Sequence, residues 1–137
     1  MVMVMVAGYK FVSTVWRAQP LYVVDGDTAD LFVDRGWHTY ALERFRFLGI
    51  DTPELRGGTD ESKAKAREAR ELVRVFLARV DKTYEVNLKT WPLRIESAPD
   101  TDNFGRWLCR IFFMREDVEV SVNAELLKRG LAVPFMV

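Results

Sequence analysis

Four short stretches of this sequence carry residue types that could do chemistry. Asp25-Gly26-Asp27-Thr28 follows the apolar run Leu21-Tyr22-Val23-Val24. Such a turn is either only a tight reversal of the chain or a pair of carboxylates offered to a cation. It is not an EF-hand loop, because Asp30 stands where that loop needs glycine and Gly36 where it needs glutamate. The second stretch is Asp51-Thr52-Pro53-Glu54. Pro53 fixes its own φ and pushes Thr52 toward an extended conformation, so the two acids are held in a defined turn. That turn is either solvated or able to serve one hard cation, one acid directly and the other through water. Arg46 is the third, inside the apolar run Phe45-Arg46-Phe47-Leu48-Gly49-Ile50. Either it snorkels from a surface strand, or it stands on the sheet just upstream of the acidic turn. The fourth is Asp102-Asn103-Phe104-Gly105-Arg106, a loop that delivers an arginine onto a strand with an aromatic two residues before it. An arginine fork suits a phosphate, and an aromatic face suits a base or sugar. Together, carboxylates at 27, 51 and 54 with Arg46, Arg106 and Phe104 meet the needs of phosphodiester chemistry: neutralised charge, fixed geometry and an activated water.

These residues need elements to hold them. Segments 9–16 and 21–24 are rich in β-branched and aromatic residues and predict strands. Ala29, Leu31 and Val33 alternate with Asp30, Phe32 and Asp34, a period-two strand. Residues 34–38 predict a hairpin loop that leaves His38 exposed and uninvolved. The next strand, 40–50, sets Phe45 and Phe47 on one face and Arg44, Arg46 and Leu48 on the other. After Gly57-Gly58, Thr59 can cap a helix opened by Asp60 and Glu61. Ala69, Leu72, Val73, Phe76 and Val80 follow helical spacing, with Arg74 and Arg79 placed late. A strand is expected at 84–89, a long loop over 90–103, a strand at 106–113, and a short helix from a Ser121 cap to Gly130. The order implies an α+β, mainly β chain: a small Greek-key barrel with helices packed on it.

Size and composition narrow the classes. At roughly 150 residues per domain, residues 1–137 make one domain. The longest apolar stretch, Met1 to Gly8, is far short of a membrane span and lacks the basic region and cleavage pattern of a leader. No membrane partner is expected, and the absence of a leader favours a cytoplasmic protein. Cys109, alone in its type within Trp107-Leu108-Cys109, is expected as a buried core thiol. Twenty basic residues balance twenty acidic ones. A chain without net charge does not coat nucleic acid by bulk electrostatics, although a local basic cleft stays open to it.

Four motifs occur in one order: Val24-Asp25-Gly26-Asp27-Thr28, Arg46 to Glu54, Asp102 to Arg106, and Val122-Asn123 with Gly130-Leu131-Ala132. On these the chain resembles the staphylococcal (micrococcal) nuclease, or thermonuclease-like, family from about Tyr9 to Val133. The resemblance implies a five-stranded OB-like barrel with packed helices and Ca²⁺-dependent cleavage of DNA and RNA. It implies that Asp27, Asp51 and the Thr52 carbonyl hold the metal, and that Glu54 orients or deprotonates the attacking water. Arg46 and Arg106 then grip the scissile phosphate, and Phe104, where a tyrosine often stands, offers a ring to the substrate. The implied products end in 3′-phosphates, with exposed strands preferred and no obligate protein partner. The rival is an inactive barrel of the same fold that binds nucleic acid or protein, but a retired site is not expected to keep all five of Asp27, Arg46, Asp51, Glu54 and Arg106. The chain departs from its better-known relatives in its charge and in its ending at Phe135-Met136-Val137, before their tyrosines and third helix; two packed helices are therefore expected. Trp91 and Arg94, in a loop longer than usual, are further candidates to touch substrate.

Overall fold

The computed structural model describes residues 14–78 and 85–135. Strand β1 (Thr14–Asp25) turns through Gly26 into β2 (Thr28–Asp34), and β3 (Tyr40–Phe47) returns alongside β2. A short β4 (Ile50–Asp51) precedes helix α1 (Asp60–Leu77). Strands β5 (Leu93–Thr101), β6 (Trp107–Arg115) and β7 (Val118–Ser121) lead into helix α2 (Val122–Lys128), and β8 (Val133–Pro134) pairs with β4. The sheet order is β3-β2-β1-β5-β6-β7. β3 also lies parallel to β6 through Phe45↔Trp107 and Phe47↔Cys109, which closes β1, β2, β3, β5 and β6 into a barrel. The expected five-stranded, mainly β barrel with two packed helices is the fold observed among the described residues.

Alternation builds the interior. Ala29, Leu31 and Val33 of β2, Phe45 and Phe47 of β3, Ile95 of β5, and Cys109 and Ile111 of β6 are all buried in one core. Burial pushes the Cys109 thiol well above its ordinary pKa, as expected of a core thiol. Thr59 caps α1 reciprocally with Ser62, and Ala66, Ala69, Val73 and Leu77 make the buried stripe of the helix. Ser121 caps α2 through the Ala124 N–H at 3.1 Å. Arg79, Val80 and Tyr84 lie outside the described residues, as do residues 9–13 of the first expected strand.

The strand order corrects the sequence reading in four places. The expected strand at 84–89 is absent from residues 85–90, where Asn87 instead exchanges two hydrogen bonds with Gln19 (3.0 and 3.1 Å). The fourth barrel strand comes from the expected loop: Leu93 and Ile95 point inward between Arg94 and Glu96, pairing with both β1 and β6. Pro92 precedes that strand, and Pro99 falls in the irregular stretch between Ser97 and Thr101, where a missing N–H costs no ladder bond. Strand 40–50 is two strands. Gly49, at φ 80°, bends the chain between Phe47 and Ile50, a conformation that favours glycine. The segments at 14–16 and 21–24 likewise merge into β1, whose register shifts between Pro20 and Tyr22.

Candidate functional site

The acidic groups meet because two reversals of the chain come together. The β1–β2 turn presents Asp27, whose buried carboxylate accepts from the Thr52 N–H through Oδ2 (3.1 Å) and from the Thr28 hydroxyl through Oδ1 (3.1 Å). This ties the turn to the Asp51–Glu54 segment. Thr28 pairs with Arg46 across β2 and β3, so Arg46 stands beside the turn. Its Nη1 is 3.1 Å from Asp27 Oδ2 and its Nη2 is 3.1 Å from Asp51 Oδ1. Arg46 is buried, with the Phe135 ring 5.7 Å from its Cζ. It therefore does not snorkel; a guanidinium this enclosed persists because carboxylates flank it. The Phe47 N–H donates to the Asp27 carbonyl (2.7 Å), which fixes the turn against β3.

The acidic turn has its own supports. β8 pairs Val133 with Asp51, and the Phe135 N–H donates to the Gly49 carbonyl (2.9 Å). Asn123, buried at the start of α2, donates to the Leu48 and Cys109 carbonyls (2.9 and 3.3 Å) and accepts from the Ile111 N–H (3.1 Å). One side chain thus joins α2, β6 and the bend that aims Asp51. Pro53 follows the buried Thr52, and Glu54 is exposed.

Asp27, Arg46, Asp51, Thr52, Glu54 and Arg106 all line one open cleft of about 500 Å³. A family model for staphylococcal nuclease homologues matches residues 44–137. The chain belongs to the staphylococcal nuclease homologue family. No curated protein matches it. The match to the nuclease family begins at Arg44 and so excludes the Asp25-Gly26-Asp27 turn. The barrel itself returns that turn to the matched residues.

Not every expected residue lies in the cleft. Phe104 is 83% exposed and stands outside the lining, with its ring 5.4 Å from the Arg106 Cζ. Trp91 stacks on Phe32 and Tyr40 and faces Arg17, near the other end of β1, so it is not a cleft residue. Arg94 is held by Glu96 and Glu119 on the outside of the barrel. His38 is exposed in the β2–β3 loop, as expected.

The cleft also holds residues to which the resemblance assigned no role. Asp25 lines it and accepts from the Asp27 N–H (3.0 Å). Burial first, then the neighbouring Asp27 carboxyl, push the Asp25 pKa up to about 6. Arg56 is a further lining residue. Gly26 has a packing reason: a Cβ there would sit 2.7 Å from the Ala69 Cβ of α1 and 3.1 Å from Thr52 Oγ1. The Asp-Gly-Asp motif carried both signals, since its first acid and its glycine directly precede Asp27.

Proposed function

We propose that the chain is a Ca²⁺-dependent phosphodiesterase that cleaves exposed strands of DNA and RNA and leaves 3′-phosphate ends. The supporting observation is the convergence of Asp27, Asp51 and Arg46 at 3.1 Å contacts in a cleft that Glu54 and Arg106 also line. Charge supports a cation in the reading. The lining carries carboxylates from Asp25, Asp27, Asp51 and Glu54 against guanidiniums from Arg46, Arg56 and Arg106. On formal charges that is one negative charge in excess, a poor host for a phosphodiester; one divalent cation reverses the sign.

The donor set fits such an ion. Asp27 and Asp51 touch the same guanidinium and line the same cleft. Among the described residues, no three carboxylate, histidine or cysteine side chains converge to enclose a metal. The holders would be Asp27, Asp51 and the Thr52 carbonyl with waters, an open all-oxygen set that suits Ca²⁺ better than the strict octahedron of Mg²⁺. The ion supplies positive charge beside the phosphate.

The protein groups divide the remaining work. Arg46 and Arg106 donate to non-bridging phosphate oxygens and stabilise the charge that builds on them. Glu54, exposed and outside the ion pairs of the cleft, accepts a proton from a water that attacks phosphorus in line. The new oxygen–phosphorus bond forms as the bond to the 5′ oxygen breaks, and that oxygen takes a proton from solvent water as it leaves.

The test is hydrolysis of a short single strand in Ca²⁺, in Mg²⁺ and with a chelator. Turnover in Ca²⁺, little in Mg²⁺ and none with the chelator is the expected result. Equal turnover in both ions would overturn the ligand assignment, and binding without any turnover would favour the inactive binding module.

A further inference from the structure

The two arginines of the cleft are held in opposite ways. Arg46 sets one hydrogen of each terminal nitrogen against a carboxylate, Asp27 and Asp51. Arg106 is gripped from behind: its Nε donates to Asp102 Oδ2 (2.9 Å), while among the described residues neither Nη1 nor Nη2 has a hydrogen-bond or ion-pair partner and the Phe104 ring lies 5.4 Å from Cζ. The grip is built into the loop. Asp102 Oδ1 accepts from the backbone N–H groups of Phe104 (2.8 Å) and Arg106 (3.0 Å), and the Asp102 N–H donates to the Arg106 carbonyl (2.8 Å). Gly105, at φ 77°, lets the loop close within five residues, and Thr101↔Trp107 pairs the strands on either side. The Asp102 side chain is 10% exposed and that of Arg106 is 30% exposed, so the clamp is enclosed while the fork meets the cleft.

We propose that Asp102 is a positioning residue for phosphodiester cleavage: it fixes the plane of the Arg106 guanidinium and leaves its two terminal nitrogens free for the scissile phosphate. A guanidinium loses less freedom per hydrogen bond when its plane is already set, and a displacement of about 1 Å at a reacting group can lower turnover about a hundredfold. Burial raises the Asp102 pKa, but the hydrogen bonds from the Arg106 and Phe104 backbone and from the Arg106 side chain together hold it below the ordinary carboxylate value. Asp102 is therefore ionised wherever Arg106 would act. The inference rests on the phosphodiesterase reading above.

Asp102→Asn separates clamp from turn. The asparagine oxygen can still accept both backbone N–H groups, but its NH₂ cannot accept from the Arg106 Nε–H. With a short single strand in Ca²⁺, turnover should fall about tenfold to a hundredfold with KM little changed. In an Arg106→Ala background the same change should cost nothing further, because the residue acts only through Arg106. Asp102→Glu keeps the charge one methylene away and carries the same test should the asparagine variant not fold. A readout independent of turnover is hydrogen exchange at the Arg106 Nε–H in the free protein, slow in the parent and fast in Asp102→Asn. Losses that add in the double variant, or an unprotected Nε–H in the parent, would overturn the role of Asp102 alone. A parent protein without turnover in any divalent ion would overturn the phosphodiesterase reading, and the positioning role with it.

Discussion

Glu54 and Asp27 show how differently two carboxylates of one cleft are treated. Asp27 is buried and held in place: Thr28 contacts one of its oxygens, and Thr52 and Arg46 the other. Such a group holds geometry and charge, and its loss would leave Arg46 with an unmatched buried contact. Glu54 is exposed in the same lining and enters none of the ion pairs found there. A carboxylate left available in this way suits proton transfer from water, for which an acceptor within hydrogen-bond reach contributes about a hundredfold to ten-thousandfold. Glu54→Gln should therefore keep affinity for a short single strand while turnover falls by about that factor. Single-turnover kinetics beside a binding isotherm separate the two. Lost affinity with retained turnover would make Glu54 a binding residue only.

At the scale of elements, the site depends on a helix pressed against a turn. Ala69 of α1 sits where a side chain on residue 26 would go, and Thr52 borders the same space. The helix thereby packs on the Asp25–Thr28 turn, which in turn receives the Thr52 N–H. Gly26→Ala should force these elements apart and cost about 1–3 kcal/mol, as overpacking does. It should also shift Asp27 away from Arg46 and lower turnover. Denaturant midpoints supply the check, with Ala69→Gly as partner. Shortening the opposing residue should recover part of the loss, so the double variant is more stable than the sum of the single changes allows. A Gly26→Ala protein with an unchanged midpoint would show that α1 yields freely there. The small β4–β8 pair and Asn123 complete the support from the far side, holding the bend from Leu48 to Asp51.

Across the described residues, eight arginines are paired with carboxylates. Arg17, Arg44, Arg74, Arg94, Arg110 and Arg129 are paired with carboxylates on the surface, and Arg46 and Arg106 within the cleft. Net charge is zero, so no broad positive field steers a polyanion. Affinity for a strand must come from local contacts at the cleft. Each phosphate contact adds about 0.7 to the slope of log affinity against log salt on single strands, and roughly two to four contacts are expected. Binding of a short strand by the Glu54→Gln variant across a salt series measures this directly. A slope equivalent to about eight contacts would reveal a basic face outside the cleft. Among the described residues, no helix is long and apolar enough to cross a membrane.

Local order was legible in the sequence wherever neighbours along the chain impose it. Period-two alternation marked β2 and most of β3, Thr59 and Ser121 marked the helix starts, and three of the four motifs hold residues that line the cleft. Where the sequence misled, the deciding contacts were distant. Prolines at 92 and 99 argued for a loop, yet β1 on one side and β6 on the other satisfy β5 as a strand. Arg46 looked as suited to solvent as to a site, and only the meeting of Asp27 with Asp51 keeps it buried. Gly26 passed for turn chemistry until α1 packed over it. Propensity and periodicity act over two to four residues, so they specify elements. Burial of a charge and closure of a barrel depend on groups brought together across the chain, such as Thr52 with Asp27 or β3 with β6, and those were decided by the tertiary structure.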